Sequence, residues 1–175
     1  MPLPDHPDGP LLDAARSQLA HTKLAEVLHR HFPYLPESID PQALSTEIPA
    51  GCQMLEFSLR HHQDAALSVS QYFSVALQQY QTVIQIMDRM FGYRDDLKVL
   101  DFACGYGRLL RFLIHRLSAD QIWAAEIQSD AVDYVSEHFG VHGLQSSAEP
   151  ENFNPNQRFD VIWVASLFSH LPDGL

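Results

Sequence analysis

The sequence predicts an α/β fold in which a parallel β-sheet, helices on both faces, follows an N-terminal helical segment. Three observations predict it. After Gly92, short apolar runs alternate with stretches of helical spacing, the pattern of βαβ units. Within that region, Val99 to Arg108 reads as strand, Gly-x-Gly turn and helix start. Before it, Val69 to Phe91 places apolar residues in steps of three and four, the mark of an amphipathic helix.

The elements follow in order. Residues 1–10 hold four prolines and a glycine and are expected to be a disordered tail. From Leu11 to about Phe32, Leu12, Ala15, Leu19, Leu24, Val27 and Leu28 recur at helical spacing. Pro33, Pro36, Pro41 and Pro49 then mark an irregular linker. Residues 52–60 are ambiguous, since Met54, Leu55, Phe57 and Leu59 suit a short strand or a buried loop. The long helix that follows has Gln71, Gln78 and Gln85 on its polar face and ends at Gly92. Residues 11–92 thus form a helical accessory segment, and the sheet domain occupies 93–175.

In that domain Lys98 to Phe102 is the first strand, and Tyr106 to Leu117 is a helix with Leu109, Leu110, Leu113 and Leu117 inward. Gln121 to Glu126 is the second strand. Asp130 to Phe139 is a helix capped by Ser129 or Asp130 and closed by Gly140. Val141 to Ser146 and Phe159 to Ala165 are the third and fourth strands.

Composition excludes several classes. Eleven Lys and Arg against 22 Asp and Glu give a net charge of −11, which repels phosphate backbones and argues against a nucleic-acid partner. No apolar run approaches the roughly 20 residues of a membrane span. Met1 to Pro7 has neither the basic nor the apolar part of a secretory signal. Two cysteines, Cys52 and Cys104, build neither a disulfide framework nor a Cys-rich zinc site, so a reducing, cytoplasmic setting is expected.

The chemistry concentrates between Asp101 and Glu126. Glycines at 105 and 107 allow positive φ and let a ligand approach bare backbone. The helix after them offers free N–H groups to an anion. Glu126 ends the second strand 19 residues beyond Gly107, where a carboxylate can accept both hydroxyls of a ribose. A dinucleotide such as NAD wants a third glycine where Leu110 stands. A carboxylate at the tip of the first strand, Asp101, repels a pyrophosphate and attracts an ammonium. S-adenosylmethionine has an amino-acid end, a ribose and an adenine.

The stretch from about 93 to 175 resembles the class I S-adenosylmethionine-dependent methyltransferases. The resemblance rests on Asp101-x-x-Cys104-Gly105-x-Gly107, on Glu126, and on Phe159-Asp160 through Ser166, His170 and Pro172. It implies a Rossmann-like sheet in the order 3-2-1-4 with the cofactor across the tips of strands one, two and four. It implies that Asp101, Gly105 and Gly107 hold the methionine end, that Glu126 binds the ribose, and that Ser147 and Ala148 contact the adenine. Ala103, Ile127 and Ser166 complete the implied cofactor set. The family often has Asp where Ser147 stands, and a hydroxyl bonds adenine more weakly. The implied activity is methyl transfer to a small molecule, a sugar or a protein side chain. The family's sheet usually continues past strand four, so a fragment of a longer protein, or a covering segment or chain, is expected. The alternatives are an NAD-type oxidoreductase and a non-catalytic interaction module.

Other residues have plainer readings. His170, just past the fourth strand, is a candidate general base, although a histidine there more often fixes its loop. Arg108 and Arg111 read as the solvated face of a helix. Cys104 reads as a packing residue. His61-His62-x-Asp64 lacks a third ligand at useful spacing, so no metal is expected, and Asp64 is better read as the N-cap of the long helix.

Overall fold

The structure, a computed structural model, describes residues 9–20, 36, 39–40, 43–165 and 167. The chain divides into two compact units, one ending at Gln79 and the next beginning at Tyr80.

In the first unit, helix α1 spans Gly9–Ala20. It starts two residues before the expected helix start at Leu11, and Pro10 fits its first turn, where a missing N–H has no partner to lose. The part of the expected helix beyond Ala20 lies outside the described residues. The described part of the Pro-rich stretch is irregular and held by turn bonds, from the Ile39 N–H to the Pro36 carbonyl (2.9 Å) and from the Cys52 N–H to the Pro49 carbonyl (3.1 Å). Its apolar Ile39, Leu44 and Ile48 are buried.

Residues 52–60 are neither strand nor loop. Gln53–His62 is helix α2, with Leu55, Ser58 and Leu59 buried at helical spacing and Phe57 half-exposed. Ser58 is the polar residue that hides this period in the sequence. Its hydroxyl donates to Gln71 Oε1 at 2.9 Å, which makes its burial tolerable. Helix α3, Ala65–Phe91, begins after Asp64, whose Oδ1 accepts the Leu67 N–H at 2.8 Å. That is the expected N-cap. The division between units falls inside α3. Val69, Tyr72, Phe73 and Ala76 are buried in its first part, and Tyr80, Val83 and Met87 in its second.

In the second unit, β1 (Val99–Phe102), β2 (Ile122–Glu126), β3 (His142–Gln145) and β4 (Val161–Val164) form one sheet in the order β3-β2-β1-β4. Every pairing is parallel, with Asp101 opposite Ala124 on one side and Trp163 on the other. This is the α/β, Rossmann-like order implied by the sequence. The central strands are apolar because both faces are covered, and Val99, Leu100, Ile122, Ala124 and Ala125 are buried. Among the described residues β4 is an edge, and its Ile162 is 59% exposed.

The two crossover helices differ from expectation. Regular α-helix after β1 is confined to α4, Leu110–Leu113. Turns carry the path on either side. The Arg111 N–H bonds the Gly107 carbonyl in α fashion, while Phe112, His115 and Arg116 bond three residues back. The left-handed glycine turn consumes the residues that would have formed the first helical turn. The expected inward leucines, Leu109, Leu110, Leu113 and Leu117, are all buried. After β2, α5 runs Ser129–Phe139 and ends at left-handed Gly140. Its cap is not Ser129 or Asp130, which lie inside the helix. Gln128 holds that position without a side-chain bond, and the Asp130 carboxylate is turned to Tyr106 instead.

Candidate functional site

The carboxyl ends of β1 and β2 bring together most of the residues singled out from sequence. Between them runs a turn with three left-handed residues in five: Ala103 (φ 59°), Gly105 (φ 54°) and Gly107 (φ 73°). Such a bend keeps β1 short and returns the chain beside β2. The Cys104 N–H donates to the Ala125 carbonyl at 3.1 Å, and the Gly107 N–H closes back on the Cys104 carbonyl at 3.1 Å.

The two glycines do different work. A Cβ at Gly105 would meet nothing within 4 Å, so backbone there is open to an approaching molecule. A Cβ at Gly107 would lie 2.6 Å from Phe139 Cε2 and 3.1 Å from Leu110 Cδ1. Gly107 lets the turn seat against the end of α5, a packing role that the sequence reading had merged with ligand contact.

Glu126 closes the turn. One carboxylate oxygen, Oε2, accepts the Gly105 N–H at 2.8 Å, and Oε1 accepts the Ile127 N–H at 2.7 Å. Oε1 also receives the Gln128 N–H at a longer 3.4 Å, while Oε2 keeps a lone pair for another donor. The helix end expected to offer free N–H groups to an anion is not formed, because α4 has only four regular residues. The β3 exit is tied to the same place. The Ser146 N–H donates to the Glu126 carbonyl at 2.8 Å, and the Gln145 amide donates to the Ile127 carbonyl at 2.6 Å. Ile127 is 52% exposed beside the acid. Ser147 follows, its hydroxyl accepting the Glu149 N–H at 3.1 Å, and Ala148 is exposed. Ser166 and His170 lie outside the described residues.

Asp101 is buried at the tip of β1. Burial pushes its carboxyl up to about 7, the positive Arg108 pulls it down, and the negative Glu126 pushes it up. The same burial, with Asp101 and Glu126 as negative neighbours, pushes the Cys104 thiol well up. A thiol held protonated is a packing residue, as read from sequence, and no nucleophile.

Arg111 overturns its sequence reading. It is fully buried, not solvated, with its guanidinium carbon 5.9 Å from the Phe139 ring centroid. Burial becomes tolerable where an aromatic face meets the cation. Phe139 sits 28 residues further along the chain, so no local pattern reports it. Sequence reasoning also missed Tyr106, buried between the two glycines with its hydroxyl 2.5 Å from Asp130 Oδ2. A bulky residue inside a glycine turn was its only signal.

Residues 99–174 match the family model for a methyltransferase domain. This segment belongs to that family. The match covers the whole sheet and both carboxylate-bearing strand ends of the methyltransferase domain, and the family's general chemistry is methyl transfer. Comparison with curated proteins and with solved structures returned no match. Among the described residues of the chain, no helix is long and apolar enough to cross a membrane. Among them, too, no group of three His, Cys, Asp or Glu is placed to hold a metal ion, and Asp64 of the His61-His62-x-Asp64 stretch is engaged as the α3 cap.

Proposed function

We propose that the methyltransferase domain binds S-adenosylmethionine and transfers its methyl group to an acceptor drawn from small molecules, sugars or protein side chains, in a cytoplasmic setting. The observation that carries this reading is the convergence of two buried acids on an open glycine turn: Asp101 at the tip of β1, and Glu126 bonded to the Gly105 N–H. The residues present fit that cofactor. Nothing would meet a Cβ at Gly105, so the turn can be approached along its backbone. Asp101 is a buried carboxyl with the positive Arg108 and the negative Glu126 as its charged neighbours, and in its ionised form it favours an ammonium group and disfavours a pyrophosphate. Leu110 is fully buried under the turn, at the place where a dinucleotide site wants glycine.

In this reading Asp101 takes the amino group of the methionine end, with Ala103 and Gly105 beside it. Glu126 accepts the ribose hydroxyls, Oε2 on its open lone pair and Oε1 in place of its long Gln128 contact. Ile127 packs its exposed apolar surface against the nucleoside, and Ser147 and Ala148 border the adenine. The bound cofactor supplies a methyl group already activated on a sulfonium. What the chain contributes is orientation, which for well-aligned reactants is worth roughly 7–11 kcal/mol. The apolar floor of Leu109, Leu110 and Phe139 excludes water from beneath the turn.

Calorimetric titration with S-adenosylmethionine and its demethylated product, with NAD as the competing ligand, tests the reading. Glu126→Ala is expected to weaken binding by about 1.5–3 kcal/mol, the worth of hydrogen bonds to a charged group. Unchanged affinity in that variant removes Glu126 from the site, and preferential binding of NAD favours the oxidoreductase reading.

A further inference from the structure

We propose that Tyr106 and Asp130 form a clamp that holds the glycine turn in its ligand-ready shape, with Tyr106 a positioning residue for cofactor binding. The proposal rests on the cofactor reading above for its consequence, and on geometry alone for its existence. Tyr106 lies between the two glycines, in a segment with three left-handed residues in five. Such a segment gains little from regular hydrogen bonding and needs outside contacts to stay in one conformation. Two carboxylates reach it from the β2–α5 side. Glu126 holds the Gly105 N–H, and Asp130, in the first turn of α5, accepts the Tyr106 hydroxyl at 2.5 Å. The Tyr106 ring also meets the Tyr134 ring edge-on, with centroids 5.7 Å apart. Tyr134 is one turn further along the same helix, so ring and hydroxyl are both anchored to α5. Asp130 is exposed and sits at the positive end of that helix, where its charge is favoured whether or not it meets Tyr106. What the phenol adds is a link from that fixed point to the middle of the turn. With the link cut, the Gly105 N–H loses its fixed direction toward Glu126, and the turn must be ordered again when ligand binds.

The test uses Tyr106→Phe, Asp130→Ala, their combination and Asp130→Asn in the full chain. The first readout needs no ligand. The Gly105 amide proton, bonded to a carboxylate, should move upfield in the proton–nitrogen NMR spectrum of both single variants and return toward the native position in Asp130→Asn, which keeps an acceptor oxygen. The second is affinity for S-adenosylhomocysteine, expected to fall about tenfold in each single variant and no further in the double, the sign of one shared interaction. Asp130 is exposed, so Asp130→Ala keeps the test valid if Tyr106→Phe fails to fold. An unmoved Gly105 amide, or losses that simply add in the double variant, overturns the clamp. If the unaltered protein does not bind S-adenosylhomocysteine, the cofactor reading fails, and the amide shift alone decides the clamp.

Discussion

The two βα connections of this domain share a topology and differ in almost everything else. After β1 the chain makes a left-handed turn through Ala103, Gly105 and Gly107, then a helix regular over only Leu110–Leu113. After β2 it passes Ile127 and Gln128 in two residues and enters α5, regular from Ser129 to Phe139. The first connection buries Asp101 and Arg111, while the second leaves Ser129 and Asp130 exposed. Irregular backbone thus gathers after one strand, and the buried Glu126 with the regular structure after its neighbour holds it in place. Local strain and costly burial persist only where surroundings over-determine them, and they collect where a ligand is handled. The contrast becomes testable by perturbing each side separately.

The largest effect belongs to Asp101. Its carboxyl sits at about 7 in the folded chain against the ordinary 3.8. Because the folded pKa is the higher one, the folded state keeps the proton longer. The chain is therefore relatively most stable at low pH and loses stability as pH rises from the unfolded value through about 7. Between about pH 4 and about pH 8 the loss from this group is about 4 kcal/mol. Urea unfolding across that range should show this slope in the unaltered protein and a flatter one in Asp101→Asn. A ligand carrying an ammonium favours the ionised form, so its binding should tighten as pH rises through about 7 and release a proton. Equal slopes in the two proteins would mean that Asp101 is not the group responsible.

The next two effects separate the glycines. Gly107→Ala drives a methyl group to 2.6 Å from Phe139 in a left-handed position, and should cost about 3 kcal/mol of stability by urea unfolding. Gly105→Ala meets open space and should cost only the left-handed penalty, about 1–2 kcal/mol. Its added methyl group stands where a ligand would pass, so calorimetry should show a loss of cofactor affinity out of proportion to the loss of stability. If the two substitutions behaved alike, the division of labour within the turn would be wrong.

This pattern also explains what the sequence could and could not disclose. The strands, the turn and the acid closing it were legible because each depends on residue types at short range: apolar runs, paired glycines, a carboxylate at a strand end. The strand order followed only from the family resemblance. Arg111 was misplaced because its burial depends on Phe139, far along the chain and brought near only by folding. The positive φ of Ala103 left no trace, since alanine carries no preference for it. Helix α2 was ambiguous because its inward face includes Ser58, whose burial depends on Gln71 of the next helix. The regular length of α4 was overread because leucine spacing reports which face is buried, not which carbonyl each N–H reaches.

The smallest effect falls on the regular side and gains rather than costs. Gln128 occupies the N-cap of α5 with φ −84° and ψ 116°, the extended conformation a cap requires, yet its side chain accepts no backbone N–H. The first turn of α5 therefore leaves a donor for water that Ser or Asp would take up. Gln128→Ser should raise stability by about 0.5–1 kcal/mol, read as a shift of the urea midpoint with unchanged slope. Only the backbone N–H of Gln128 faces Glu126, at 3.4 Å, and a side-chain substitution leaves it in place. Cofactor affinity should accordingly stay the same. A stabilised variant with weakened binding would show that the β2–α5 connection shares the functional constraints of the glycine turn, and the contrast between the two connections would disappear.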